Sequence, residues 1–425
     1  MLMARPSAVL GSLAIAWLAA AGAAAADGEV FPLADDPVLE ALLAEALERN
    51  PDLRAAREES AAARERVAQA GALPDPRITA GYQDGGGGLG SDEDSFAALS
   101  VSQDLPFPGK RRLAEQVADR ESARSEQPLR RARISLVERV RRAYADLLLA
   151  RENLSLVAEQ EQATRGIEDV TRSRYSVGLS EQADVLRAQA ELARLVQARI
   201  REEGNEAAAL AELNGLLARP AGTAVPAAGR LTRLAGRLPP PPPLSELLER
   251  AERLSPEIAA ARLAAERSRL ASDLARRNLK PDFSLRTTYM NRGSLPDMWA
   301  LELGVTVPAY AGRKQKRAVA ESEARLRADR AGAEAASLRV RAGLERSLAA
   351  LSAALREAEA YADGVLSVDR LAAESALANY RAGKVPFIAV LEAHNTQYRD
   401  RWTHADLLAR VLRYSARVDA LLPVE

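Results

Sequence analysis

The side chains that most often carry chemistry are scarce in this chain of 425 residues. His394 and His404 are its only histidines, ten positions apart with one acid, Asp400, between them. That spacing does not gather metal ligands on one helix face, so structural or surface roles suit both better. Cysteine is absent, which removes disulfides, thiolate metal sites, cysteine nucleophiles and any lipid-acceptor cysteine together. The run Gly85 to Gly88 is followed by neither Gly-Lys-Ser/Thr nor a helix start, so it is not a phosphate loop. No Gly-x-Ser-x-Gly nucleophile turn occurs. Acid pairs are numerous, but none stands out as a catalytic couple. These residues predict no enzyme, no cofactor and no metal site. Beyond residue 26 only Met290 and Met298 offer thioethers, so soft-metal selection is expected to reside elsewhere.

Lys and Arg total 59 against 59 Asp and Glu, a balance that points away from nucleic acid. Aromatics make up 4% and alanine runs are frequent, which suits long helices packed closely better than a thick globular core. Residues 1–26 read as a secretory signal peptide. Arg5 supplies the positive charge, Ala8 to Ala20 form the apolar stretch, and Ala24, Ala25 and Ala26 offer a cleavage site before Asp27. The apolar stretch is shorter than the roughly 20 residues of a spanning helix. Nothing later is longer, so a membrane would have to be crossed by strands.

The chain is internally duplicated. Asn50-Pro51-Asp52-Leu53 returns as Ser255-Pro256-Glu257-Ile258, a shift of 205 residues. Pro76 and Pro281, then Tyr175-Ser176-Val177-Gly178 and Tyr380-Arg381-Ala382-Gly383, then Val185-Leu186 and Val390-Leu391, keep the same shift. Pro106-Phe107-Pro108-Gly109 answers to Pro308-Ala309-Tyr310-Ala311-Gly312, so only loops changed length. The first repeat spans 27–218 and the second 244–425, with a Pro- and Gly-rich linker at 219–243 expected to be extended.

Each repeat orders its elements alike. Asn50 and Ser255 are N-caps, Pro51 and Pro256 fit the first helical position, and helices follow to about Ala72 and Asn278. Alternation then replaces helical spacing, predicting strand hairpins over about 77–104 and 282–307. Phe283, Leu285, Thr287 and Tyr289 share one face. Trp299, Leu301, Leu303, Val305 and Val307 share another. Ile78, Ala80, Tyr82, Ala97, Leu99 and Val101 repeat the pattern more weakly. Runs of this length cross a bilayer at a tilt. Loops are expected at Asp84–Asp94 and Arg292–Asp297. Tyr82, Tyr289 and Trp299 sit near strand ends, where membrane barrels carry interfacial aromatics. Four strands alone would leave open edges in hydrocarbon, so the barrel must close between subunits with 8, 12 or 16 strands.

Long helices complete each repeat, over about Gly109–Tyr175 and Gly312–Tyr380, each reaching on the order of 100 Å if straight. Val137, Val140, Tyr144, Leu147, Ala150, Leu154 and Val157 form a coiled-coil seam, as do Leu344, Leu348, Leu351, Leu355, Ala358, Ala362 and Val365. Pro128 is expected to kink or break the first helix. Gly178 and Gly383 end the outgoing helices in tight reversals. Return helices start near Ser180 and Val385, with Leu186, Leu192, Leu195, Val196 and Ile200 on one face of the first.

This order, occurring twice, resembles the TolC-type outer membrane efflux family over essentially the whole chain beyond residue 26. The strongest segments are Leu73-Pro74-Asp75-Pro76, Gln103 through Arg111, Tyr175 through Leu179 with Asp184 and Val185, and Tyr380 through Gly383. The first two most resemble the branch serving heavy-metal exporters of the cobalt–zinc–cadmium or copper–silver type. The resemblance implies a mainly helical protein with membrane β-structure. It would be a homotrimer with a 12-stranded outer membrane barrel, three copies of four strands, continued by a 12-helix periplasmic barrel. It implies a periplasmic adaptor and an inner membrane RND transporter as partners, and outer membrane lipid around the strands. Tyr175, Val177, Gly178, Leu179, Arg381, Gly383 and Lys384 would form the tip turns where the adaptor docks. Asp184, Tyr380 and Glu392 would form the periplasmic gate.

Two positions depart from the family's gate. Where its prototype has an arginine two residues after the second glycine, Val385 stands; where it has an acid six after, Ala389 stands. Acidic side chains ringing an axis would still attract cations and repel anions. Two other classes remain open, a type I protein secretion duct and a periplasmic coiled-coil scaffold without membrane strands.

Overall fold

The structure, a computed structural model, describes residues 36–83, 95–226, 231, 235, 241–293 and 295–422. The signal segment 1–26, the loop Asp84–Asp94 and much of the linker lie outside the described residues. The order is α1 (Pro37–Arg49), α2 (Pro51–Gly71), β1 (Arg77–Gln83), β2 (Phe96–Leu105), α3 (Lys110–Ser176) and α4 (Gln182–Leu216). The second repeat follows as α5 (Leu244–Leu254), α6 (Pro256–Arg277), β3 (Asp282–Arg292), β4 (Leu295–Thr306), α7 (Gln315–Ala360), a π-helical turn (Tyr361–Val365), α8 (Leu366–Arg381) and α9 (Phe387–Leu421). Two compact units result: Ala55–Arg130 with Pro256–Leu338, and the remainder of the chain.

The first of these holds the sheet, antiparallel in the order β1-β2-β3-β4. One row runs Ile78, Val101, Thr287, Leu301, and the next on that face runs Ala80, Leu99, Tyr289, Trp299. The opposite face carries Arg77, Ser102, Arg286, Glu302, then Thr79, Ser100, Thr288, Ala300. Strand alternation has thus sorted the sheet into an apolar and a polar side. Trp299, Leu301 and Leu303 are each more than 70% exposed, so none of the described residues covers the apolar side there. On the polar side Arg286 and Glu302 pair at 3.7 Å. Below the sheet, Lys110 Nζ donates to Asp282 Oδ1 at 2.8 Å and to the Lys280 carbonyl at 2.9 Å. The Phe107 amide donates to the same Asp282 Oδ1 at 2.7 Å, which pins the start of α3 to the start of β3.

The second hairpin is tighter than its sequence suggests. Strand pairing resumes at Leu295, opposite Arg292, rather than leaving a loop to Asp297. Gly293, at φ +63°, supplies the left-handed backbone that such a short turn requires. Tyr289 OH and Asn291 Nδ2 both donate to Asp297, at 2.6 and 3.1 Å, and clasp the two strands.

In the other unit, Asp36 caps α1 by accepting from the Val38 and Leu39 amides, and the Tyr144 hydroxyl bonds its second oxygen. Asn50 caps α2 with Oδ1 while its Nδ2 donates to the Leu216 carbonyl, joining α2 to the end of α4. Arg141 and Asp419 pair at 2.8 Å almost fully buried. Leu231 and Ala235 are helical and buried, so the linker is not extended throughout. Their i, i+4 spacing puts two apolar side chains on one helix face, and that burial overrides the local composition.

Three further expectations are corrected. Helix α3 passes through Pro128 without interruption, because only one amide is lost from a helix of 67 residues. The second outgoing helix, by contrast, is broken by the π turn at Tyr361–Val365. The seam Leu344, Leu348, Leu351, Ala358 is buried, but Ala362 beyond it is exposed, since the wider turn shifts the helical phase. On α4 the buried stripe is Val185, Ala188 and Leu195, whereas Leu186, Val196 and Ile200 are exposed.

Candidate functional site at the helical tips

The two outgoing helices end in the same backbone device. After α3, Gly178 takes φ +76°, its amide donates to the Tyr175 carbonyl and the Leu179 amide reaches back to the Arg174 carbonyl at 2.8 Å. After α8, Gly383 takes φ +73°, its amide donates to the Tyr380 carbonyl and the Lys384 amide reaches back to the Asn379 carbonyl at 2.9 Å. Both are Schellman-type closures, in which a glycine in the left-handed region satisfies the last helical carbonyls.

The side chains diverge. Tyr175, Val177 and Leu179 are exposed at 46%, 67% and 64%, whereas Tyr380 is 3% exposed. Tyr380 lies in a core of Ile167, Ala188, Phe387, Val390 and Leu391, one or more residues from each of α3, α4, α8 and α9. Its ring meets Phe387 edge-on at 5.9 Å, and the Arg174 guanidinium lies 4.8 Å from its centroid. Arg174 also donates to the Arg381 carbonyl at 3.1 Å and to the Leu179 carbonyl at 3.2 Å, so one side chain closes both turns.

The Tyr380 hydroxyl lies 3.2 Å from Ser180 Oγ, which in turn donates to Asp184 Oδ2 at 3.2 Å. Arg187 occupies the other oxygen, Oδ1, at 2.9 Å. Asp184 and Tyr380 are therefore brought together through Ser180, while Glu392 stands apart on α9, exposed. Of the basic turn residues, Arg381 and Lys384 are exposed beside Gly383.

Deeper in this bundle, His394 is 6% exposed, with Nε2 3.3 Å from Thr164 Oγ1 and its ring edge-on to Tyr398 at 4.9 Å. Burial holds its pKa below the ordinary value, against the opposing pull of the Gln160 carbonyl and the Glu191 carboxylate. On α8 and α9, Asp369 and Asp400 are neighbours; burial and the nearby Asp400 carboxyl both raise the Asp369 pKa. Among the described residues no cluster of three or more His, Cys, Asp or Glu could hold a metal, and no helix is long and apolar enough to cross a membrane.

Sequence reasoning passed over Arg174, Ser180, Arg187 and Phe387. Phe387, Val390, Leu391 and His394 advance by three and four, a phase that marks the buried face of α9. Arg174 carried no such signal, because its partners lie on another helix.

Residues 42–219 match the family model described as outer membrane efflux protein. That stretch resembles the outer membrane efflux proteins. Solved structures share its fold at low identity. CusC superimposes with a TM-score of 0.80 at 20% identity, covering 93% of each chain. The open-state outer membrane channel MtrE of Neisseria gonorrhoeae gives 0.76 at 20% identity, over 91% of this chain and 89% of its own. VceC of Vibrio cholerae gives 0.75 at 20% identity, over 91% and 96%. A search of curated protein sequences returns no match. The four strands per chain and the long helices share the fold of these outer membrane channels. Members of the family form trimeric channels that work with a periplasmic adaptor and an inner membrane pump.

Proposed function

We propose that three copies of this efflux protein form the exit duct of a tripartite pump, passively conducting heavy-metal cations from an inner membrane RND transporter and a periplasmic adaptor to the exterior. The observation that carries this reading is the sheet. It has one bare apolar side for lipid, one polar side for water, and pairing partners for β1 and β4 on one side only. Open strand edges do not persist in hydrocarbon, so neighbouring copies must supply the missing pairing. The exposed apolar residues Leu186, Val196, Ile200, Val368, Leu371 and Ile388 are surfaces that adjoining helices of the trimer would cover. Tyr82, Tyr289 and Trp299 are taken as the membrane interface aromatics. The metal branch is supported by the segments Leu73–Pro76 and Gln103–Arg111.

The resting gate in this reading is built from Tyr380, Asp184 and Glu392. Val385 replaces the prototype's arginine, and Arg174 and Arg187 supply basic groups from α3 and α4 instead. The exposed tip turns, with Tyr175, Val177 and Leu179 on one and Arg381, Gly383 and Lys384 on the other, are the adaptor's docking surface. Glu392, repeated around a three-fold axis, provides an acidic constriction. Single-channel recording of the purified oligomer in planar bilayers tests this. Discrete openings blocked by di- and trivalent cations are expected, with block relieved in Glu392→Ala. A well-folded oligomer that never inserts would overturn the duct.

A further inference from the structure

Beyond residue 26 the chain has two methionines, Met290 and Met298, and the sheet register sets them opposite each other across β3 and β4. Opposed residues on antiparallel strands hold their Cβ atoms about 5 Å apart, close enough for two flexible thioethers to reach one ion. Both belong to the polar side of the sheet. Met290 follows Arg286 and Thr288 in alternation, and Met298 precedes Ala300 and Glu302. Across the same row the first hairpin offers only Ala98 and Gly81, and a Cβ placed on Gly81 would meet nothing within 4 Å. Small residues thus flank the methionines along this row, and Met298 is itself exposed among the described residues.

Packing does not account for this pair. The sheet's large aliphatic side chains, Leu301, Leu303 and Val305 among them, lie on the other side. Met298 remains 45% exposed, and Arg292 Nη1 donates to its Sδ at 3.4 Å. A thioether is a poor ligand for hard or borderline ions but a good one for soft monovalent cations. We propose that Met290 and Met298 form a soft-cation contact, binding copper(I)- or silver(I)-class ions through two sulfurs in a rapidly exchanging coordination. It rests on the duct reading for the lumen that this side would face. Binding displaces the Arg292 hydrogen bond and changes no oxidation state. The nearby guanidinium weakens it, as a conduit that must release its cargo requires. The expectation that soft-metal discrimination lies elsewhere in the pump still stands; the duct adds a contact rather than a filter.

The test uses the full oligomer carrying methyl-13C methionine, titrated with silver nitrate in chloride-free detergent buffer. Both strand methyl resonances should move together in one saturable step, and zinc should move neither. Met298→Leu should weaken the Met290 response by about tenfold or more, and Met290→Leu should do the same to Met298. Arg292→Gln should tighten silver binding several-fold in apparent affinity. Motionless resonances, or a full Met290 response in Met298→Leu, would overturn the pair. Recording the same preparation in bilayers separates the two claims. Channels without methyl shifts sink the contact alone, whereas methyl shifts without channels support the contact and sink the duct.

Discussion

The two tip turns share a backbone and differ in what their tyrosines do. Each closes a long helix with a left-handed glycine and the same pair of amide-to-carbonyl bonds, so conformation does not distinguish them. Tyr175 faces solvent beside Val177 and Leu179, while Tyr380 is sunk among four helices under Arg174. An identical turn thus carries an exposed tyrosine in one repeat and a buried one in the other. Duplication supplied the scaffold twice, and in the proposed reading divergence in the residues packed around each tyrosine separates docking from closure. Arg174 links the two turns, because it leaves the first turn's helix, bonds that turn's Leu179 carbonyl, and also reaches the second turn's tyrosine ring and Arg381 carbonyl.

The largest expected effect breaks this asymmetry at its centre. Tyr380→Ala removes a buried aromatic ring, its edge contact with Phe387, its cation–π partner and its link through Ser180 to Asp184. Truncating a buried aromatic costs about 3–5 kcal/mol, enough to populate an open tip. Tyr175→Ala removes an exposed ring and should stay within about 0.5 kcal/mol. Resting conductance in bilayers, together with protease cleavage near Gly383, should rise sharply for the first variant and remain unchanged for the second. Equal effects from both would mean that the tyrosines are not divided in role.

Much of this division is legible in the sequence, and the remainder is lost for definite reasons. Tyr175 and Tyr380 lie at the repeat shift with glycine three residues on, so turn and helix end follow from local chemistry. Which tyrosine is buried depends on Ile167, Ala188, Val390 and Leu391 converging from separate helices. Arg174 to Arg381 spans 207 positions, and no local pattern encodes that contact. The strand faces were readable because alternation is a period of two that a few residues reveal. The π turn was not, since it alters helical phase by inserting backbone rather than by changing composition. Pro128 shows the reverse, a strong local breaking signal that does not end a helix of 67 residues.

Backbone substitutions sharpen the comparison with an effect of intermediate size. Gly178 and Gly383 have φ of +76° and +73°, where a Cβ costs about 1–2 kcal/mol. Space does not discriminate between them. A Cβ at Gly178 would meet nothing within 4 Å, and one at Gly383 only Arg174 Nη2 at 3.7 Å. Gly178→Ala should therefore accelerate hydrogen exchange at the Leu179 amide about as much as Gly383→Ala does at Lys384, roughly 5- to 30-fold. A much larger response at Lys384 would show that the second turn carries strain beyond its glycine, transmitted through Arg174.

The smallest effect concerns pH, and it acts on the bundle that anchors Tyr380. His394 lies seven residues beyond Phe387 on α9, facing Thr164 and Gln160 of α3, Glu191 of α4 and Tyr398 of its own helix. Burial depresses its pKa despite the Gln160 carbonyl and the Glu191 carboxylate, whose charge is also engaged by Arg194 at 2.7 Å. The folded state thus binds the imidazole proton less readily than the unfolded chain does. Its contribution is fully present above the unfolded value near 6.5 and is lost as pH falls from there toward the folded value, by at most about 1.4 kcal/mol per unit. Local exchange of the Thr164–Thr171 amides should quicken on acidification from about pH 7 to 5.5, and His394→Gln should flatten that dependence. His404, also depressed by burial, lies ten residues farther along α9 and should leave these amides unaffected when replaced. The first tip turn provides the internal reference. Tyr175 is exposed, so its amide should show only the intrinsic pH dependence of exchange, and an equal acid response there would place the titrating group outside the Tyr380 anchor.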